Sequence, residues 1–138
     1  MTLIEVIHKL KDVAMSKHNV NFVGDGDIYE LNSTPNIDYG VFFITQGTHS
    51  ADIDTTSYTL NLFYVDRLTD NKDNALLIQS NGIGALTNII NEFTMTEDVD
   101  VEYPLQFQPF TQRFSDECAG VYCTVTLITD SNLGLCYE

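Results

Sequence analysis

Positive charge is what this sequence has least of. Six Lys and Arg face twenty Asp and Glu, giving a formal net charge of -14 at pH 7. A chain so acidic repels phosphate backbones and anionic membrane surfaces, which argues against ordinary nucleic-acid binding and against attachment to a membrane face. No apolar run approaches the ~20 residues that a membrane-spanning helix requires. The opening Met1-Thr-Leu-Ile-Glu-Val6 has no basic region before an apolar core and no small-residue cleavage site, so no signal peptide is expected. Cysteines are few and odd in number: Cys118, Cys123 and Cys136. Without a secretory signal they read as reduced, intracellular thiols, with Cys123 in the core. Cys-x-x-Cys pairs, His pairs at metal-ligand spacing, internal repeats and low-complexity segments are all lacking. Zinc is therefore not expected.

What remains is an ordinary globular composition. The 138 residues, 43% hydrophobic, suggest one domain able to bury roughly 68% of the surface its unfolded chain exposes. That requires no metal or disulfide. The acid is unevenly placed: six acidic residues and no Lys or Arg lie between Phe22 and Asp54, and seven acidic residues with only Arg113 lie between Glu92 and Glu117. Four of the six basic residues, Lys9, Lys11, Lys17 and Lys72, fall in or beside two predicted helices.

The first helix runs from Thr2 to about Lys17. Leu3, Val6, Ile7, Leu10, Val13 and Ala14 recur at spacings of three and four. Thr2 with Glu5 fits a capping box, and Lys17 and His18 suit the negative end of the helix dipole. Short strands are predicted at Val20 to Val23 and Asp27 to Leu31, separated by a Gly24-Asp-Gly26 turn. Ile37 to Gln46 is aromatic and β-branched, apolar on both faces around Val41-Phe-Phe-Ile44, and so belongs in the middle of a sheet. A polar loop from Gly47 to Thr56 leads to a strand at Ser57 to Val65, with Tyr58, Leu60, Leu62 and Tyr64 on one face. The two long strands form a hairpin. A second helix from Asp73 to Phe93 shows Leu76, Ile83, Leu86, Ile89, Ile90 and Phe93 as its apolar stripe. Gly82 and Gly84 inside it suggest close approach of a neighbouring backbone, or a kink. From Val99 to Phe107, apolar and acidic residues alternate, with Asp98, Asp100 and Glu102 outward and Val99, Val101 and Tyr103 inward. Pro104 places that strand at an edge or bulge. A last strand covers Gly120 to Asp130. The order predicts an α+β domain over residues 1–130, a mostly antiparallel sheet with both helices packed on one face, and a C-terminal tail at 131–138.

Candidate chemistry is sparse. His49-Ser50 with Asp52 or Asp54 has the letters of a nucleophilic triad, but no G-x-S-x-G elbow, and reads as a solvated loop. Asp25-Gly-Asp27 with Glu30 lacks the calcium-loop pattern and reads as a plain turn. Gly82-x-Gly84 lies within a helix and cannot cradle a phosphate as a dinucleotide fingerprint does. No catalytic residue, cofactor or metal follows from these patterns. Asp66-Arg67 closes an apolar strand and is either a structural feature of the strand–helix junction or an inter-subunit contact. The acidic face of Asp98, Asp100 and Glu102 is a solvated edge, a pore lining or a dock for a basic partner.

Several segments carry a resemblance: Tyr39-Gly-Val-Phe-Phe43, Thr45-Gln-Gly-Thr-His49, Tyr64-Val-Asp-Arg-Leu68, Asn74, Ile78-Gln-Ser80, Gly82-Ile83, Ala85-Leu86, Asn88-Ile-Ile90, Gln112-Arg-Phe114, Asp116 and Cys118-Ala-Gly-Val-Tyr122. With this order of elements the chain resembles the tail-terminator and tail-completion proteins of tailed bacteriophages, and more closely the neck and tail ring proteins of crAss-like phages of gut bacteria. The resemblance implies a tail-terminator-like fold and a non-enzymatic structural protein of the virion, of head–tail connector or tail-terminator type. It implies a homo-oligomeric ring of 6 or 12 subunits, assembled in the host cytoplasm, beside portal, adaptor or tail ring proteins. DNA would pass through without specific binding, and Asp66, Arg67, His49, Asp52, Asp54, Asp98, Asp100 and Glu102 become the interface or lumen candidates. A different class of function also accounts for the acidity: a small DNA mimic that blocks a host nucleic-acid-binding enzyme, acting as a monomer or dimer.

Overall fold

The structure, a computed structural model, describes residues 2–17, 19–27, 40–68, 74–97, 99–111 and 118–130. Helix α1 spans Leu3–Met15, β1 Phe22–Asp25, β2 Val41–Gln46, β3 Ser50–Ala51, β4 Thr55–Arg67, α2 Ala75–Glu97, β5 Asp100–Val101, β6 Phe107–Thr111 and β7 Cys118–Asp130. The strands make one sheet in the order β1-β2-β4-β7-β5, with β3 also paired to β4 and β6 also paired to β7. Only β1 and β2 run parallel; the other described pairings are antiparallel. This is the predicted α+β class with a mostly antiparallel sheet. No helix among the described residues is long and apolar enough to cross a membrane.

Strand periodicity explains where the core sits. Side chains two apart share a sheet face. Phe42 and Ile44 of β2, Leu60, Leu62 and Tyr64 of β4, and Val121, Cys123, Val125 and Leu127 of β7 therefore form one layer, all buried. Both helices cover it. Helix α1 contributes Val6, Ile7, Leu10 and Ala14, and α2 contributes Ile78, Leu86, Ile89, Ile90 and Phe93. The alternate positions, Val41, Phe43, Phe63, Val65 and Cys118, build a second buried cluster on the other face. That accounts for β2 being apolar on both sides, as expected of a strand flanked by β1 and β4.

Local chemistry sets the ends of α1. The Thr2 hydroxyl accepts the Glu5 N–H and the Glu5 carboxylate accepts the Thr2 N–H, the expected capping box. These bonds hold the Glu5 carboxyl below its ordinary value. The helix stops at Met15, so Lys17 lies beyond its last turn, contrary to expectation. Lys17 instead reaches α2, with Nζ 2.6 Å from Glu92. Lys9 bridges to Glu97 at 2.9 Å, and that bond raises the Lys9 pKa. The two pairs clamp the antiparallel helices together.

Three further expectations change. Strand β1 starts two residues later than predicted, so Gly24 and Asp25 pair with β2 and the chain turns at Gly26, whose φ is 128°. The predicted second short strand lies outside the described residues beyond Asp27. The loop from Gly47 to Thr56 contains β3, which folds back so that Ser50 and Ala51 oppose Ser57 and Thr56. The predicted strand from Val99 to Phe107 is interrupted: β5 ends at Val101, Tyr103 is 65% exposed, and pairing resumes only at Phe107. Pro104 has no N–H to donate, and the Glu102 N–H to the Thr126 carbonyl is the last bond before the break.

The expected apolar stripe of α2 holds at Leu86, Ile89, Ile90 and Phe93, which are buried, and fails at its first two positions. Leu76 is 79% exposed and Ile83 42%. The face that packs on the sheet includes Gly82 and Ala85 beside Ile78, Leu86, Ile89, Ile90 and Phe93. Its small residues bring the helix close. A Cβ on Gly82 would lie 2.8 Å from Val121 Cγ2 and 3.0 Å from Tyr64 Cδ2. Close approach, the expected reason for glycine here, thus holds at Gly82. A Cβ on Gly84 would meet nothing within 4 Å.

Candidate functional site

The two long strands separate the candidate residues into two groups. Strand β4 has 13 residues, so at ~3.3 Å per residue its ends lie about 40 Å apart. Asp66 and Arg67 sit at one end. His49, Asp52, Asp54, Asp100 and Glu102 sit at the other, while Asp98 lies outside the described residues.

At the Asp66-Arg67 end the contacts are those of a strand handing over to a helix. The Asp66 carboxylate accepts the Arg67 N–H at 2.8 Å, and the Arg67 carbonyl accepts the Asn74 amide at 3.3 Å. The Asn74 carbonyl in turn accepts the Ile78 N–H at 3.0 Å, opening α2. Arg67 is exposed.

The opposite end is acidic. Register places Asp130 across from Thr55 and Asp100 across from Ile128. The Glu102 N–H is tied to Thr126, and the Asp52 N–H to the Thr55 carbonyl at 2.7 Å. Asp52 also turns its carboxylate back to accept the Ile53 N–H at 2.8 Å. Asp52, Asp54, Asp100, Glu102 and Asp130 are all exposed, and none is in an ion pair among the described residues. The three described lysines are engaged elsewhere: Lys9 and Lys17 on α2, and Lys11 on Asp25 at 2.5 Å. With no cation among them, the five carboxylates make this end a region of negative potential. They are not gathered as metal ligands: no group of three or more His, Cys, Asp or Glu suited to a metal ion occurs among the described residues.

His49 braces that end. Its Nδ1 accepts the Thr59 N–H at 3.2 Å, which leaves Nε2 to carry the proton and donate it to Gln46 Oε1 at 3.0 Å. The ring meets Tyr58 edge-on at 5.6 Å. Both imidazole nitrogens are thus committed to holding the β3 turn against β4. An imidazole so held is not presenting a free nitrogen to Ser50 as a base.

A third feature escaped sequence reasoning. On the helix-free face, Thr45, Asn61 and Thr124 stand side by side across β2, β4 and β7. The Asn61 amide donates to Thr45 Oγ1 at 3.1 Å, and Thr124 Oγ1 donates to the Asn61 carbonyl oxygen at 2.7 Å. Beside this ladder, Phe63 stacks on Tyr122 at 5.1 Å. Gly26, Asp27 and Gln46 complete the lining of an open depression of about 610 Å³, and a second of about 480 Å³ adjoins it at Tyr122 and Thr124. Its ionisable lining groups are Asp27 and Tyr122. Hydroxyls and amides dominate, which suits hydrogen bonding more than proton transfer. The polar position in each strand was legible; their lateral alignment depends on register, which the sequence does not display.

Comparison with known proteins adds no family. No family model matches the chain, and no curated protein does. Among solved structures the chain is similar to the mycobacterial sensor histidine kinase MprB, at 12% identity over 94% of this chain and 95% of that one, with a TM-score of 0.33. Likeness at that level carries no argument about function.

Proposed function

We propose that this chain is a structural subunit of a tailed-phage particle that assembles as a ring of 6 or 12 copies around the DNA channel in the neck or tail, and that it is not an enzyme. The motif resemblance motivates the reading. The observation that carries it is the group of five exposed carboxylates at one end of the sheet, with the described lysines engaged elsewhere. A channel that DNA must slide through needs a wall that does not bind phosphate, and carboxylates supply it. Their field reaches only about 8 Å at physiological salt, so they act on DNA only when they line the passage or lie next to it. Portal, adaptor or other tail ring proteins are the neighbours this role requires.

Exchanging Asp52, Asp54, Asp100 and Glu102 together for Lys tests the reading. All four are exposed, so the fold should survive. The expected result is a ring that forms but packages or ejects DNA slowly, because the reversed wall binds phosphate. If these residues dock a basic neighbour instead, the same variant fails to assemble and wild-type affinity falls with salt. Particles that assemble and eject normally would reduce the acidity to a solubility feature. A chain absent from particles and bound to a host enzyme would replace the ring with the DNA-mimic reading.

A further inference from the structure

The helix-free face of the sheet changes character along its length. One stretch is the apolar cluster of Val41, Phe43, Phe63, Val65 and Cys118. Two residues further along the strands, the same face turns to Thr45, Asn61 and Thr124. The two open depressions lie over this boundary and share Tyr122 and Thr124 as lining, so together they make one groove. The groove crosses the strands, from Thr45 on β2 through β4 and β7 to Gln108 on β6, which stands opposite Tyr122. Three strand spacings of ~4.8 Å make it about 14 Å long.

Its groups are held in place before any ligand arrives. Thr124 donates to the Asn61 carbonyl oxygen and the Asn61 amide donates to Thr45, so the row is one directional chain of hydrogen bonds. Hydroxyls both donate and accept. The Thr45 hydroxyl proton and the Thr124 lone pairs therefore stay outside the chain, a donor at one end and an acceptor at the other. Tyr122 is half-buried and is backed by Phe63, which is 5% exposed and stacks on it at 5.1 Å. Exposed Gln46 and Gln108 add amides at the two ends of the groove.

This lining selects a class of ligand. Among the described residues it holds no Lys, Arg or His, so it offers no counter-charge to a phosphate or carboxylate. Its one carboxylate among them, Asp27, is too little for a cation or metal, which the five carboxylates at the end of the sheet would attract more strongly. An extended peptide adds to a free strand edge, but beneath the groove β2, β4, β7 and β6 are paired with one another. A wholly apolar ligand would cut the Thr and Asn groups off from water without replacing their bonds. What fits is an uncharged molecule that donates and accepts through hydroxyls and has an apolar face for an aromatic ring. A sugar has both, because its C–H groups pack against the negative face of the ring while its hydroxyls point outward. We propose that this groove binds a short uncharged oligosaccharide laid across the strands. One sugar ring rests on Tyr122, and its neighbours bond to the Thr45-Asn61-Thr124 row on one side and to Gln108 on the other. The site uses none of the carboxylates assigned to the DNA passage, so it goes beyond the ring reading and does not rest on it.

The full chain is tested on an array that carries neutral, sialylated and sulfated oligosaccharides, and the tightest neutral binder is then titrated while amide NMR spectra are recorded. Thr124→Val and Gln108→Ala, combined in one chain, remove polar groups from two exposed positions and leave the core alone. Tyr122→Ala removes the ring, and circular dichroism checks that the fold survives; if it does not, the double variant decides alone. The expected result is binding of a neutral glycan, with shifts centred on the amides of Asn61, Tyr122, Thr124 and Gln108. Affinity should fall at least about tenfold in the double variant and further in Tyr122→Ala. An array on which no neutral glycan binds, binding confined to charged glycans, shifts centred elsewhere, or a double variant that binds like the wild type would each overturn the proposal. The ring reading is judged separately. Exchanging Asp52, Asp54, Asp100 and Glu102 for Lys should leave glycan binding unchanged, and rings that form without glycan binding leave the ring standing without this site.

Discussion

Gly82 and Gly84, two positions apart on α2, should respond to alanine with opposite signs. At Gly82 the new methyl would sit 2.8 Å from Val121 Cγ2 and 3.0 Å from Tyr64 Cδ2. Neither neighbour can step aside, since Val121 is 0% and Tyr64 2% exposed. Forcing a methyl into such a contact costs about 1–3 kcal/mol, against a gain of about 1 kcal/mol in helix propensity. The net effect is a loss of up to about 2 kcal/mol. At Gly84 the methyl meets nothing, and the propensity gain of about 1 kcal/mol stands alone. The two variants should therefore differ by about 1–3 kcal/mol, or roughly 3–10 °C in Tm for a chain of this size. Circular dichroism on heating, at a concentration where native mass spectrometry shows all variants in one oligomeric state, reads the difference directly. If Gly82→Ala proves as stable as Gly84→Ala, α2 does not press on Tyr64 and Val121, and the packing described above is wrong.

Leu86 is completely buried between α2 and the sheet, so Leu86→Ala should cost about 2–5 kcal/mol in denaturant unfolding; an unchanged midpoint would place Leu86 at the surface. Burial pushes the Tyr64 phenol from 10.0 up to about 12, so the folded state keeps a proton that the unfolded chain releases. Its contribution is fully present below pH 10 and is lost as pH rises through 12, with a loss of about 3 kcal/mol. Replacing Tyr64 with Phe should flatten that alkaline decline. Cys118 and Cys123 are both 0% exposed, and burial raises the Cys123 thiol pKa. Peptide mapping after brief alkylation at neutral pH should find both unmodified in the folded chain and modified in denaturant.

Much of this fold was legible, and the misses share a cause. Alternation in Tyr58, Leu60, Leu62 and Tyr64 gave the buried face of β4 because a strand repeats every two residues. The double-sided run at Val41-Phe-Phe-Ile44 gave the central position of β2 in the same way. The stripe of α2 was right at Leu86, Ile89, Ile90 and Phe93 and wrong at Leu76 and Ile83, because it was traced through large apolar residues alone. The helix in fact turns Gly82 and Ala85 inward, and such small residues signal proximity without signalling hydrophobicity. The alternation from Val99 to Phe107 was genuine in pattern, yet Pro104 removes the N–H that the ladder needs. The candidate site was legible as residue types and not as an arrangement. Asp52 and Asp100 are far apart in sequence, and only the register of β4 and β5 on β7 brings them to one end of the sheet. The same register moves Asp66 and Arg67 to the other end. The role of His49 as a brace depends on Thr59 and Gln46 flanking it across the β3 turn, which no local motif announces.

Cryo-electron microscopy of phage particles containing this chain tests the central claim most directly. The account predicts a closed ring of 6 or 12 copies on the tail axis, with the end of the sheet that carries Asp52, Asp54, Asp100, Glu102 and Asp130 turned toward the DNA passage. Particles that lack the chain, or that carry it off the axis, would contradict it.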